Sequence, residues 1–218
     1  MIMIECQQGT PQWFEARAGV ITASEYEVAI SKLTRTSGSK KAGDPTDASD
    51  RYACDKAIER VSGKPYGIPP RAAILARGHD LEPKARMGYE AKTEMLAAES
   101  GIVLTDDRKF GYSTDGFVGD DGLIEIKCPI DGFKIAQMWK TGDVSEYIHQ
   151  IQGGMWLTGR KWLDFIMYVP DLAPVDKDLF IKRIERDDNF IDAMVEQLLA
   201  FDRRVETYRA LFSMREAA

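Results

Sequence analysis

The chain has 218 residues, enough for one domain of ordinary to large size. Apolar residues make up 44% and charged residues 29% of the sequence, which excludes disordered, collagen-like and coiled-coil proteins. Lys and Arg number 29 against 35 Asp and Glu, so the formal net charge is −6. This acidic balance argues against a protein that coats nucleic acid by bulk charge, but it is compatible with a local nucleic-acid site.

The numbers and spacing of cysteine and histidine limit the kinds of disulfide and metal site that the protein can contain. Cys6, Cys54 and Cys128 are far apart and form no CxxC pair, and the chain has only two histidines. The cysteine spacing argues against a disulfide framework and a zinc knuckle, and two histidines exclude a His-rich metal site. The first residues carry no basic segment followed by a long apolar stretch, and no run approaches the ~18 apolar residues of a membrane span. We expect a cytoplasmic protein.

Hydrophobic spacing and capping signals predict the elements of the first half of the chain. Three helical regions are expected over about 22–33, 49–62 and 71–90. Thr22–Glu25 fits a capping box, Ser49 or Asp50 can cap the second helix, and Gly63 fits its end. Pro83 indicates either a break in the third helix or its start. A polar loop spans 34–47, and a connection rich in Pro and Gly spans 64–70.

The second half changes to the two-residue period of strands. Strands are expected over 102–104, 110–118, 123–128, 162–169 and 179–184, and helices over 143–157 and 189–212. The turn signal at Gly119–Gly122 predicts a hairpin between the second and third strands. We see neither an internal repeat nor a linker, so this order predicts a single mixed α/β domain over residues 1–218.

The strand over 123–128 carries charged residues that point to chemistry. Alternate residues of a strand share a face, so Glu125 and Lys127 project together while Ile124 and Ile126 anchor the strand in the core. The preceding strand brings Asp115 near Glu125. Simple pairing across the turn would put Gly116 opposite Glu125, so we expect a bulge or a diagonal approach there.

Two carboxylates converging at a strand end suit a hard cation such as Mg²⁺ or Mn²⁺. Such an ion lowers the pKa of a bound water and stabilises charge on a phosphate, and Lys127 adds a positive charge. Lys127 can orient or help deprotonate the attacking water, or neutralise developing charge. A spacing of D-x9-E-x-K also arises by chance, in which case it describes a solvated strand face with a Glu–Lys pair.

Four stretches in one order resemble the phage lambda exonuclease family of viral recombination nucleases, within the PD-(D/E)XK superfamily. They are residues 13–24 (WFEARAGVITAS), 78–85 (GHDLEPKA), 114–116 with 125–129 (TDG and EIKCP) and 147–156 (YIHQIQGGMW). They are similar to the family patterns W-x3-R-x-G-x-I-T-A-S, G-x3-E-x2-A, PD with ExK, and Y-x2-Q-x-Q-x2-M-W. One departure is Thr114, which replaces the proline of the PD pair.

The resemblance implies a restriction-endonuclease-like core with a mixed central sheet flanked by helices. It implies an Mg²⁺-dependent exonuclease, with Mn²⁺ as a substitute, that degrades one strand of linear duplex DNA from 5′ to 3′. A single-strand annealing protein would use the 3′ tail for recombination. A ring-shaped homotrimer around DNA and a phage or prophage origin in a bacterial host are implied as well.

The resemblance also assigns site residues. Glu82 would add to the metal site of Asp115 and Glu125, with the Ile126 carbonyl as a further ligand. Gln150 would complete the catalytic core by holding Lys127 or the water. Each has an ordinary alternative: Glu82 as a first-turn helix residue and Gln150 as a helix-face glutamine.

A second cluster would bind the DNA end. A helix opening with hydroxyls beside an arginine suits a phosphate, and the resemblance implies that Arg17 and Ser24 grip the 5′-phosphate, with Ser113 joining them. In the simpler interpretation, Thr22 and Ser24 only cap the helix. Two other functions compete with the exonuclease: a structure- or sequence-specific endonuclease with the same core, and a non-catalytic DNA-binding protein. The intact Asp115, Glu125 and Lys127 argue against the latter.

Overall fold

The computed structural model describes residues 1–67, 72–99 and 101–214. Its strands are β1 (Ile2–Ile4), β2 (Ile21–Thr22), β3 (Ala97–Ala98), β4 (Ile102–Leu104), β5 (Phe110–Ser113), β6 (Gly116–Val118), β7 (Gly122–Lys127), β8 (Trp162–Tyr168) and β9 (Leu179–Glu185). Its α-helices are α1 (Pro11–Ala16), α2 (Tyr26–Ile30), α3 (Asp47–Ser62), α4 (Ala72–Thr93), α5 (Gly132–Thr141), α6 (Ile148–Thr158) and α7 (Asp188–Ser213). Short 3₁₀ segments span Ala23–Glu25, Ser145–Tyr147 and Pro170–Val175.

The chain divides into two compact units. The first unit contains Met1–Gly67, Gly101–Tyr112 and the chain from Asp187 onward. The second unit contains residues 68–100 and Ser113–Arg186. This division by contacts leaves the prediction of one domain over residues 1–218 untested.

The first unit contains a four-stranded sheet with the order β1-β4-β5-β2. β1 runs antiparallel to β4, whereas β2 runs parallel to β5. Val20, Ile102 and Leu104 are buried together here. In the same unit, α3 packs against α7.

The second unit is built on a five-stranded sheet with the order β3-β6-β7-β8-β9. β7 pairs in parallel with β8, and the other pairs are antiparallel, so the sheet is mixed as expected. Ile124 and Ile126 of β7 pack in one cluster with Ala85 and Tyr89 of α4. The alternation along β7 is therefore as predicted, with the isoleucines in the core.

Several predicted boundaries were wrong for local physical reasons. The helix expected to reach Leu33 ends at Ile30, because Ser31 turns to extended backbone and its hydroxyl donates to the Val28 carbonyl at 2.8 Å. The second helix is capped by Thr46, not by Ser49 or Asp50, since the Thr46 side chain accepts a hydrogen bond from the Ser49 N–H. Gly63 ends it in the left-handed conformation, as predicted.

Other differences concern breaks and missed elements. α4 runs unbroken through Pro83, and the strand expected over 110–118 divides at Thr114 into β5 and β6, which join different sheets. The sequence patterns did not reveal α1, α5, β1, β2 or β3, of which only α5 exceeds six residues. The end of the predicted 64–70 connection and a helix start at residue 71 lie outside the described residues.

Candidate active site

The hairpin of β6 and β7 places the two central carboxylates opposite each other. Gly116 pairs with Ile124 and Val118 with Gly122, so the same register continued by one residue sets Asp115 across from Glu125. The expected bulge or diagonal approach was therefore wrong, because the regular pairing of the hairpin already sets Asp115 opposite Glu125. The turn takes up three residues, Gly119 to Asp121, which shifts the pairing by one position.

The Thr114 side chain fixes the backbone next to Asp115 through hydrogen bonds. Its side chain is buried, and its hydroxyl accepts a hydrogen bond from the Gly116 N–H at 3.2 Å. The same hydroxyl lies 3.0 Å from the Gly116 carbonyl and 3.2 Å from the Ile124 carbonyl, to which it can donate. A hydroxyl that fixes the turn in this way substitutes for a proline that would fix it by restricting φ.

The Asp115 carboxylate is held by the neighbouring strand. Its Oδ2 accepts a hydrogen bond from the Ile126 N–H at 2.6 Å. Burial, together with the charges of Glu125 and Glu82, raises the pKa of Asp115 well above its usual range. The structure therefore confines negative charge in a place where a cation would stabilise it.

Lys127 and Glu125 form the closest ion pair of the site. The Lys127 Nζ lies 2.7 Å from Glu125 Oε1, and it also lies 5.5 Å from the ring centroid of Tyr147. Burial alone lowers the pKa of Lys127, but the charges of Glu125 and Asp115 outweigh burial and raise the pKa above its ordinary value. The amine is protonated at neutral pH, which favours its role as a positive charge over that of a base.

Gln150 approaches the site from α6. Its Nε2 donates to Glu125 Oε1 at 2.5 Å, so the amide and Lys127 share one carboxylate oxygen. We expected Gln150 to hold Lys127 or the attacking water, and the structure instead gives it Glu125 as partner. Gln150 thus fixes the orientation of a candidate metal ligand.

Glu82 lies on α4, directly before Pro83. Burial raises the pKa of Glu82; His79 opposes this shift and Glu125 reinforces it, which places Glu82 within electrostatic range of the hairpin. His79 Nδ1 is 3.7 Å from its carboxylate. For Ile126, the N–H serves Asp115 and the side chain packs in the core. Its carbonyl as a metal ligand stays a prediction.

The carboxylates of Asp115, Glu125 and Glu82 suit a divalent cation. Within the described residues, no three Asp, Glu, His or Cys side chains are close enough to form a ready-made metal cluster. Asp115 and Glu125 are nevertheless both buried, and Glu125 and Glu82 both raise the pKa of Asp115. Oxygen ligands that repel one another in this way are the set that Mg²⁺ or Mn²⁺ stabilises.

The candidate phosphate residues Arg17 and Ser24 meet around Thr22 in the first unit. Arg17 Nη2 donates to the Thr22 hydroxyl at 3.2 Å, and that hydroxyl lies 3.4 Å from the Ser24 hydroxyl. The Arg17 guanidinium stacks 4.1 Å from the ring centroid of Trp13. Thr22 makes no side-chain capping bond, so the predicted capping box is wrong and its hydroxyl serves Arg17 instead.

Tyr52 of α3 is a member of this cluster that sequence reasoning missed. Its hydroxyl accepts a hydrogen bond from the Thr22 N–H at 3.1 Å, and burial raises its pKa to about 12. Thirty residues separate the pair, and no local spacing signals such a contact. Ser113 ends β5 and belongs to the other compact unit, so its part in the cluster stays a prediction.

A mixed sheet flanked by helices, with a hairpin that presents an aspartate and a Glu-x-Lys set together, defines a nuclease of the PD-(D/E)XK class. The chain belongs to the family of the YqaJ-like viral recombinase domain, whose model matches residues 12–161. The predicted membership in the lambda exonuclease-like family is confirmed.

Solved structures agree with this membership. The chain is 34% identical to the alkaline exonuclease LHK-Exo from Laribacter hongkongensis, over 93% of this chain and 96% of that one, with a TM-score of 0.79. The complex of LHK-Exo with dAMP gives 35% identity, the same coverage and a TM-score of 0.80. A phage-related exonuclease from Haemophilus somnus 129PT is 18% identical, covers 89% and 96% of the two chains, and has a TM-score of 0.67, which supports the fold alone. A search of curated proteins finds no significant match.

These findings confirm two predictions, the PD-(D/E)XK fold and an enzyme that hydrolyses DNA phosphodiester bonds. At the coarser level the chain is a DNA exonuclease of a viral recombinase family. The comparisons do not test the roles of the individual site residues.

Proposed function

We propose that the protein is an Mg²⁺-dependent exonuclease that degrades one strand of linear duplex DNA from 5′ to 3′ and leaves a 3′ single-stranded tail. The observation that carries the proposal is the approach of Asp115 to Glu125 across the hairpin, with the Lys127 Nζ 2.7 Å from Glu125 Oε1. The family membership supports a role in viral recombination.

Four groups would hold the cation: the carboxylates of Asp115, Glu125 and Glu82 and the Ile126 carbonyl. When bound, Mg²⁺ or its substitute Mn²⁺ supplies a water of lowered pKa and stabilises charge on the scissile phosphate. Lys127 is protonated and neutralises negative charge that develops on the phosphate. Gln150 holds the Glu125 carboxylate in place through its hydrogen bond of 2.5 Å.

Arg17 and Ser24 would bind the 5′-phosphate at the DNA end. The Arg17 guanidinium is already oriented by Thr22 and by the Trp13 ring, so a phosphate would meet a positioned cation. Such a pocket would bind DNA ends that carry a 5′-phosphate in preference to ends that carry a 5′-hydroxyl.

The proposed exonuclease would work as an assembly and together with a partner protein. A ring-shaped homotrimer would enclose the duplex, and a single-strand annealing protein would take up the 3′ tail. The setting would be the cytoplasm of a bacterial host that carries a phage or prophage. These three statements rest on the family membership and not on a contact within this chain.

The decisive experiment compares linear duplex with a 5′-phosphate, linear duplex with a 5′-hydroxyl, and covalently closed circular duplex, each with Mg²⁺. We expect nucleotide release from the linear substrates, fastest with the 5′-phosphate, and none from the circle. Cutting of the circle would favour the endonuclease, and no release with Mg²⁺ or Mn²⁺ would contradict a catalytic role.

Two substitutions and one control test the roles of individual residues in this assay. Asp115→Ala removes a carboxylate from the metal site, so the rate should fall more than about 1,000-fold while binding to DNA ends survives. Asp121→Asn in the turn of the same hairpin is the matched control and should hydrolyse normally. Arg17→Ala should abolish the preference for 5′-phosphate over 5′-hydroxyl, and an unchanged preference would refute the phosphate pocket.

A further inference from the structure

Arg86 joins α4 to the backbone of the catalytic hairpin. It lies one helical turn after Glu82, and its Nη2 donates to the main-chain carbonyl of Asp115 at 2.9 Å. Its Nη1 pairs with the Glu99 carboxylate. The Arg86 side chain is 15% exposed and that of Glu99 is 74% exposed, so the guanidinium is inside while this partner is in water.

Arg86 contacts the chain at a break between two strands. β5 ends at Ser113 and β6 begins at Gly116, so Thr114 and Asp115 lie between two strands that belong to different sheets. The Asp115 carboxylate is held by the Ile126 N–H and its carbonyl by Arg86. Arg86 of α4 therefore anchors the main chain of Asp115, and Ile126 of β7 anchors its side chain.

An arginine suits this contact because its guanidinium can reach two partners at once. Arg86 Nε is buried and has no hydrogen-bond partner among the described residues, so the guanidinium contacts its neighbours through Nη1 and Nη2. The carboxylates of Glu82, Asp115 and Glu125 lie in the same region, and Arg86 acts electrostatically on Glu82. Because arginine keeps its proton, its hydrogen bond to the Asp115 carbonyl persists whatever the charge state of these carboxylates.

We infer that Arg86 is a positioning residue that holds Asp115 opposite Glu125 and thereby sets the affinity of the site for a divalent cation. This inference rests on the proposed metal-dependent function. Residues that orient metal ligands without touching the metal typically change its affinity about 10- to 100-fold when they are replaced.

The test measures Mn²⁺ binding to DNA-free protein by electron paramagnetic resonance, together with the rate on linear 5′-phosphorylated duplex. Arg86→Gln should weaken Mn²⁺ binding about 10- to 100-fold and raise the Mn²⁺ concentration for half-maximal rate by the same factor. Excess Mn²⁺ should restore most of kcat. Glu99→Gln removes only the exposed partner and is the matched control, with Mn²⁺ affinity unchanged.

Thermal unfolding separates positioning from general stability. A folded Arg86→Gln variant that binds Mn²⁺ like the wild type would overturn the inference. If Arg86→Gln does not fold, Arg86→Lys decides, because one ammonium group cannot reproduce the two-sided grip. Weaker Mn²⁺ binding with a near-native unfolding midpoint supports the inference, and wild-type binding overturns it. A wild-type protein that neither binds Mn²⁺ nor releases nucleotides would refute the proposed function and this inference with it.

Discussion

Glu125 receives two hydrogen bonds at one carboxylate oxygen, from Lys127 of its own strand and from Gln150 of α6. Both donors approach within 2.7 Å of Oε1, which restricts rotation of the carboxylate. A metal ligand held in advance loses little conformational freedom on binding, so the arrangement favours a defined site.

The role of Gln150 can be tested by an isosteric change. Gln150→Glu replaces the donor with a second carboxylate against Glu125, which removes one hydrogen bond and adds like-charge repulsion. We expect a fall in the hydrolysis rate of roughly 10- to 100-fold, the equivalent of a lost hydrogen bond to a charged group. Gln197→Glu on α7 is the control. A rate within twofold of the wild type would remove Gln150 from the site.

The raised pKa of Asp115 predicts how stability depends on pH. Folding favours the protonated carboxyl, so its stabilising contribution is complete below the ordinary Asp pKa and is lost as pH rises through the raised value. In EDTA, the wild type should therefore lose unfolding free energy relative to Asp115→Asn as pH increases. Urea unfolding of both proteins across pH 4–8 measures this difference, and a difference that stays constant would contradict the assigned burial.

Among the secondary-structure elements, the β6–β7 hairpin does most to build the site. Sequence patterns located both strands and the turn, but they gave a register one residue off. The error arose because the Gly119–Gly122 signal was taken to hold a two-residue turn, whereas Gly122 pairs with Val118 as the first residue of β7. Gly122 also packs against the Trp162 ring, a contact that the sequence pattern does not reveal.

Gly122→Ala tests this packing. An added Cβ would lie 2.2 to 2.7 Å from Trp162 ring atoms, and the Arg183 guanidinium stacks 3.6 Å from the centroid of the same ring. The ring cannot shift without losing that contact, so we expect destabilisation of about 1–3 kcal/mol in urea unfolding. Gly132→Ala, whose added Cβ would meet no atom within 4 Å among the described residues, should be nearly neutral. Equal effects of the two changes would contradict the close fit.

Helix α4 shows a limit of local rules at the element scale. Pro83 suggested a break or a helix start, yet the helix continues from Ala72 to Thr93. Ala85 and Tyr89, which follow Pro83, are fully buried against β7, and this burial outweighs the missing backbone hydrogen bond. The continuous helix is what presents Glu82 and Arg86 together.

At the scale of the whole molecule, the net charge of −6 has a narrower meaning than it has in the composition alone. Glu82, Asp115 and Glu125 account for part of the acidic excess, and a bound cation would reverse the local field there. No helix of the described residues is both long and apolar enough to cross a membrane.

Divalent cations should stabilise the folded chain as a whole. A ligand that binds only the folded state at 100 times its Kd adds about 2.7 kcal/mol of stability. We therefore expect Mg²⁺ or Mn²⁺ to raise the unfolding midpoint of the wild type by several degrees, measured by calorimetry against EDTA. Asp115→Ala should show no shift, whereas Asp121→Asn should keep it. A wild type indifferent to both ions would contradict the metal site.

The sequence by itself determined the fold class and the family, and it singled out Asp115, Glu125 and Lys127 as candidate site residues. Local periodicity and ordered motifs suffice for these, because strand alternation and motif spacing are short-range properties. Only the tertiary structure decided the register of the hairpin, the choice of Glu125 as partner of Gln150, and the contacts of Arg86 and Tyr52. These depend on which distant side chains fill the space beside a residue, since packing and burial couple positions that no sequence spacing relates.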